Sequence, residues 1–132
     1  MTIEMIHPDG LPVRETYSHV TVATGSRIVF VAGQVSEDEN GEDVIGVGDM
    51  AVQARQAFAN VGRALAAAGA RPDQVAKLTI YVAGYRREYL PLIEAGRVAV
   101  FGTHKPADAL IGVAALSHPD NLIEVEAVAV TD

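Results

Sequence analysis

The chain has 132 residues, 49% hydrophobic and 20% charged, a balance that fits one compact domain over residues 1–132 and argues against disorder. Seventeen acidic residues against ten basic ones leave a formal charge of -7, which repels polyanions and sets aside nucleic acid and anionic membranes as partners. The absence of cysteine excludes disulfides, thiolate nucleophiles and zinc ribbons, and 5% aromatic content with no Trp calls for a core of small, closely packed side chains.

The opening "MTIEMIHPDG" has neither a basic n-region nor an apolar h-region. No apolar run reaches the roughly 18 residues of a membrane span. The expectation is a soluble, cytoplasmic protein. Residues 1–16 are polar, carry Pro8 and Pro12, and read as an arm. "YSHVTVAT" (17–24) alternates, "GS" (25–26) is a turn signal, and "RIVFVAGQV" (27–35) is apolar on both faces. Together they predict a β-hairpin whose second strand is central.

The segment 36–49, rich in carboxylates and glycines, reads as a solvated loop. After it Ala51, Ala54, Phe58, Val61, Leu65 and Ala68 recur at the spacing of a helical stripe, with Asp49 placed to cap it and Gly69 to end it. "VAKLTIYVA" (75–83) alternates as a strand. Residues 86–101 form a second helix with Pro91 near its first turn, and 107–116 and 121–130 are the last strands. The order ββαβαββ predicts an α+β fold, a mixed sheet with two helices on one face. Strands 27–35 and 107–116 are apolar on both faces, so the uncovered side needs a partner, and a homo-oligomer supplies one.

Several motifs have simpler explanations than the chemistry they suggest. "GVGDMA" (46–51) fits a dinucleotide fingerprint but follows an acidic loop and lacks the downstream acid, so it is a helix entry. His104, Asp108 and His118 could be pictured as metal ligands. Pro106 separates the first two, and His118 lies in a turn beyond the strand that Asp108 opens, so no metal site is expected. The loop "SEDENGED" fails the calcium-loop pattern, and the serines lack a G-x-S-x-G setting. "IEVEAVAV" (123–130) is different, because Glu124 and Glu126 share one face of an apolar strand. A salt bridge explains one of them, and a general base at an inter-subunit cleft is the functional alternative.

"VAGQVSED", "QARQAFANVGRALAAAGARPDQVAKLTIYV", "KPADALIGVAAL" and "LIEVEAVAV" together resemble the RidA/YjgF family, in order, from about Tyr17 to Val130. The resemblance implies a chorismate-mutase-like fold and a homotrimer with small-molecule clefts between subunits. It also implies cofactor-independent hydrolysis of reactive 2-imino or enamine acids. Carried across, the water-positioning glutamate falls on Glu124 and the pocket tyrosine on Tyr17. Ala32 and Gly33 line the cleft, and Glu94 stands where a polar pocket residue is common. The arginine of the family's P-A-R motif, which clamps the substrate carboxylate, is here Asp108. A displaced cation would have to come from Arg97, His104 or Lys105. Three functions follow in order. The first is a diverged hydrolase or deaminase of a neutral or cationic imine, enamine or amide-like metabolite, with Glu124 and Asp108 catalytic. The second is a non-catalytic trimer binding a small ligand or a partner, and the third the standard 2-iminoacid deaminase.

Overall fold

The computed structural model describes residues 1–132. Its strands are β1 (Thr2–Ile6), β2 (Val20–Thr24), β3 (Arg27–Gln34), β4 (Val75–Ala83), β5 (Ala107–Val113) and β6 (Ile123–Thr131), and its helices α1 (Met50–Ala67) and α2 (Leu90–Phe101). Four strands make a sheet in the order β3-β6-β4-β5, while β1 and β2 pair separately. Strand β6 runs antiparallel to both β3 and β4, whereas β4 and β5 are parallel and connected through α2. The fold is α+β with a mixed sheet, as the periodicities predict. No helix is long and apolar enough to cross a membrane.

Three expectations need correction. Residues 1–16 are not wholly an arm, because Thr2–Ile6 pairs with Val20–Thr24 and puts a strand ahead of the expected order. The hairpin of residues 17–35 does not form. Gly25 and Ser26 hand the chain to β6 instead, with the Ser26 amide donating to the Thr131 carbonyl at 3.0 Å. A Cβ at Gly25 would stand 2.6 Å from that same carbonyl oxygen, so the approach requires glycine. Strand β3 is therefore an edge of the sheet rather than central, and the inner strands are β6 and β4. A turn signal is local, whereas strand order is decided by which long partner buries most apolar surface.

Helix α1 begins at Asp49, whose Oδ1 accepts the Val52 amide at 3.1 Å, and it ends just before Gly69 at φ +72°. Its stripe of Ala54, Ala57, Phe58, Val61 and Leu65 is buried against β3 and β6. Helix α2 packs on α1, where Phe58 and Phe101 meet edge to face at 6.2 Å. The small side chains set this distance. A Cβ at Gly96 would lie 2.9 Å from the Ala54 backbone carbon. The other face of the sheet has no such cover, and Phe30 is 77% exposed there and Ile28 62%.

Replacing Gly96 with Val therefore inserts volume where no movement of a flexible side chain can absorb it. The expected loss is about 1–3 kcal/mol, read as a lower urea midpoint. An unchanged midpoint would show that the two helices can separate without cost.

Candidate functional site

A cavity of about 560 Å³ opens between β4, β5, the start of α2 and the segment leading into β2. Its position follows from strand parity. Asp108 pairs with Leu78 across the parallel β4–β5 ladder, and paired residues share a face. Leu78 is buried on the helix side, so Asp108 projects there too. From α2, Leu90, Ile93 and Glu94 fall on one helical face and line the same cavity. Ile80 and Leu110 supply apolar wall, and Tyr17 closes the far side.

That far side is latched to β5. The Ser18 hydroxyl donates to the Lys105 carbonyl at 2.7 Å, and the Ala107 amide donates to the Thr21 hydroxyl at 2.8 Å. Tyr17 and His19 stack edge to face at 5.3 Å. Ser18 has no catalytic setting in the sequence, and its contribution here is to hold the wall.

The cavity's charge depends on Arg97, which is 3% exposed. Its Nε donates to Glu94 Oε2 at 3.0 Å, its Nη2 donates to the other Glu94 oxygen, and its Nη1 donates to the His104 carbonyl at 2.7 Å. His104 in turn meets the Val75 carbonyl through Nε2 at 2.8 Å. Of the cations that could replace the missing arginine, none lines the cavity; Arg97 is the one whose charge reaches Asp108, and Glu94 already holds it in a bidentate pair. The i, i+3 spacing of Glu94 and Arg97 on a helix could have disclosed this pairing. Asp108 feels Arg97 through space only. Burial pushes its carboxyl up to about 6, against the pull of Arg97 and Lys77 and with the push of Glu94.

Glu124 and Glu126 occupy the other face. In the β4–β6 ladder Glu124 pairs with Tyr81 and Glu126 with Thr79, the parity opposite to Ile80 and Val125. Glu126 has a partner, though not the basic residue expected. The Tyr81 hydroxyl donates to its Oε1 at 2.7 Å, and this bond above all raises the phenol's pKa. Glu124 lies against Gly33, where a Cβ would stand 2.7 Å from the glutamate Cδ. Close by, a groove of about 400 Å³ runs past Phe30, Ala32, Lys77 and Glu126. The candidate residues thus fall into two sets within one subunit, Tyr17, Glu94 and Asp108 around the cavity and Ala32, Gly33 and Glu124 on the open face.

The metal ligands imagined in the sequence do not assemble. His104 is engaged with Val75, and His118 Nδ1 accepts the Asp120 amide at 3.0 Å within its own turn. No group of three metal-binding side chains occurs in the chain. The acidic loop is organised by Asn60, whose amide nitrogen donates to the Val35 and Glu37 carbonyls, both at 2.9 Å.

Comparison with known proteins gives a consistent picture. The family model described as Endoribonuclease L-PSP matches residues 9–131. The 3-aminoacrylate deaminase RutC of Acinetobacter baylyi is 33% identical over 129 residues, 98% of each chain. Among solved structures, the Rid-family protein YyfB of Yersinia pestis superposes with a TM-score of 0.91 at 33% identity, covering 98% of this chain and 99% of that one. Yeast Mmf1 superposes with a TM-score of 0.69 at 26% identity, covering 99% and 100%.

Asp108→Asn should stabilise the protein at neutral pH, because the unfolded chain ionises this carboxyl freely and the folded one resists. A shift of two units corresponds to about 3 kcal/mol, and partial exposure reduces it to about 1–2 kcal/mol. The folded state holds the extra proton between about pH 4 and 6. Wild-type stability contributed by that proton is therefore lost as pH rises through this window. Urea unfolding should show the Asn variant ahead at pH 7 and level with wild type near pH 3. An advantage independent of pH would mean that ionisation of Asp108 is not its source.

Proposed function

This chain belongs to the RidA/YjgF family, and from that premise we propose that it is a diverged hydrolase or deaminase acting on a small neutral or cationic imine, enamine or amide-like metabolite. The site is a cleft between subunits of a homotrimer, and the reaction needs no cofactor. One observation carries this reading. Asp108 and Glu124 project from opposite faces of one sheet, so they can meet only when the cavity of one subunit faces the Gly33–Glu124 surface of the next. The exposed Phe30 and Ile28 beside that surface supply the apolar area an assembly would bury.

In this arrangement Glu124 takes a proton from the attacking water as its oxygen bonds to the imine carbon. Asp108 accepts the N–H groups of the imine in its cationic form, and Glu124 passes the water's proton to the nitrogen of the resulting carbinolamine. The C–N bond breaks, and the departing ammonia takes the hydroxyl proton, leaving a carbonyl and ammonium. Two carboxyls on opposite faces suit the two roles, Glu124 moving the proton and half-buried Asp108 holding the nitrogen. The Acinetobacter 3-aminoacrylate deaminase supports deaminase chemistry of this kind. Substrates bearing a carboxylate are disfavoured. Two like charges about 4 Å apart at an effective dielectric near 20 repel by about 4 kcal/mol, roughly a thousandfold in binding. The formal charge of -7 argues equally against RNA, despite the description attached to the family model.

The assay is the decay of 2-iminopropionate generated in situ, set beside an uncharged imine. The wild type should leave the first at its background rate and accelerate the second, and Glu124→Ala should lose about 100-fold or more on the accepted substrate. Asp108→Arg should gain activity on 2-iminopropionate. Glu124-dependent acceleration of that acid by the wild type would restore the standard deaminase, and silence on every imine would leave a ligand-binding protein. Sedimentation should give three copies of the 13.9 kDa chain, and a monomeric mass would remove the inter-subunit cleft.

A further inference from the structure

We infer that the cavity bounded by Tyr17, Glu94 and Asp108 selects an organic monocation with a short apolar body, an amidine, guanidine or protonated amine, and that Glu94 sets this choice by occupying Arg97. The inference rests on the proposed reading that this cavity is the ligand-binding half of the site. It goes beyond that reading by choosing among the ligands it admits.

The charges around the cavity sit on fixed geometry and decide which ligand fits. Arg97 brings one positive charge behind the cavity-lining Glu94, and Glu94 cancels it through a bidentate pair. The guanidinium spends a further donor on the His104 carbonyl and is 3% exposed. It cannot turn toward a ligand carboxylate without abandoning Glu94. Asp108 is then the one uncancelled charge among the cavity-lining side chains apart from any protonation of His19. No side-chain hydrogen bond within the chain reaches its carboxylate oxygens, which leaves them acceptor capacity for a ligand. An amidinium or guanidinium presents two parallel N–H groups that match a carboxylate edge. Ile80, Leu90, Ile93 and Leu110 offer wall for an apolar body of a few carbons.

Binding is accordingly tied to pH. The charged groups that Asp108 feels are Glu94 and Arg97 from α2 and, from the other side of β4, Lys77, with Tyr17 and His19 across the cavity. As pH falls below about 6, Asp108 takes up a proton and the affinity for a cation drops, approaching tenfold per unit. His19, when protonated, works in the same direction, so the Asp108→Asn variant is needed to separate the two.

The experiment is titration calorimetry of the intact protein with butanamidinium, butanamide and butanoate, which share a carbon skeleton and differ in charge. At pH 7.5 the wild type should bind the amidinium at least tenfold more tightly than the amide and show no binding of butanoate. Asp108→Asn should abolish the preference for the cation, while Asp73→Asn, an equal change of net charge at an exposed site, should preserve it. The double variant Glu94→Gln/Asp108→Asn frees Arg97 and should bind butanoate instead, with circular dichroism confirming that each variant is folded. Butanoate binding by the wild type, amidinium binding indifferent to Asp108→Asn, or no heat from the amidinium at millimolar concentration would each overturn the inference. Amidinium binding without turnover of any imine would end the hydrolase reading and leave this one standing. Glu124-dependent turnover with no preference among the three probes would do the reverse.

Discussion

A guanidinium buried as deeply as Arg97 must be matched, and the way it is matched organises the site half of the molecule. Leaving such a charge unpaired would cost several kcal/mol. Glu94 meets it from one turn earlier on α2, and the His104 carbonyl meets it from the loop that follows the helix. His104 extends the chain of contacts to the Val75 carbonyl at the start of β4. Helix, loop and strand are thereby tied together immediately before β5 begins. That tie places Ala107 and Asp108 in register with Lys77 and Leu78, and so decides that Asp108 enters the cavity. The same contacts use up the cation that would otherwise neutralise it.

The second constraint is strand parity. Side chains alternate across a sheet, so one odd or even step separates the cavity from the open face. Asp108 follows Leu78, and Glu124 follows Tyr81. The two carboxyls most suited to acid–base work are consequently kept apart within a subunit. Gly33 leaves room for Glu124 where any side chain would overlap it. Phe30 and Ile28 lie exposed on that same face, and under the proposed reading association would cover them and complete the site together.

Much of this was legible in the residues, and the failures have physical causes. The stripe from Ala51 to Ala68 carries its cap and its end within itself, so helix α1 could be read locally. The low aromatic content called only for small, closely packed side chains, and the Gly96–Ala54 approach is where the two helices use them. Strand β1 was missed because five residues that alternate weakly say nothing of the partner strand they find at Val20–Thr24. The hairpin of β2 and β3 failed for a related reason, as Gly25 is consistent both with a tight turn and with a close approach to β6. At the site, the identity of Asp108 was plain in "KPADALIGVA", but its environment was not. Which face it takes depends on pairing with β4, and what it meets there depends on a helix turn that spends Arg97 on Glu94. Glu126 shows the same limit, because the partner it required turned out to be a phenol on the neighbouring strand.

The central claim is that Asp108 is a half-buried carboxyl, reluctant to ionise and left free for a cation. Carbon-13 NMR of the carboxylate side chains, with Asp108 assigned by comparison with the Asp108→Asn variant, observes this group directly. The account predicts a midpoint near 6 for the unliganded protein and a clear downward displacement when an amidinium is present. A midpoint near 4 that does not move with the amidinium would contradict it.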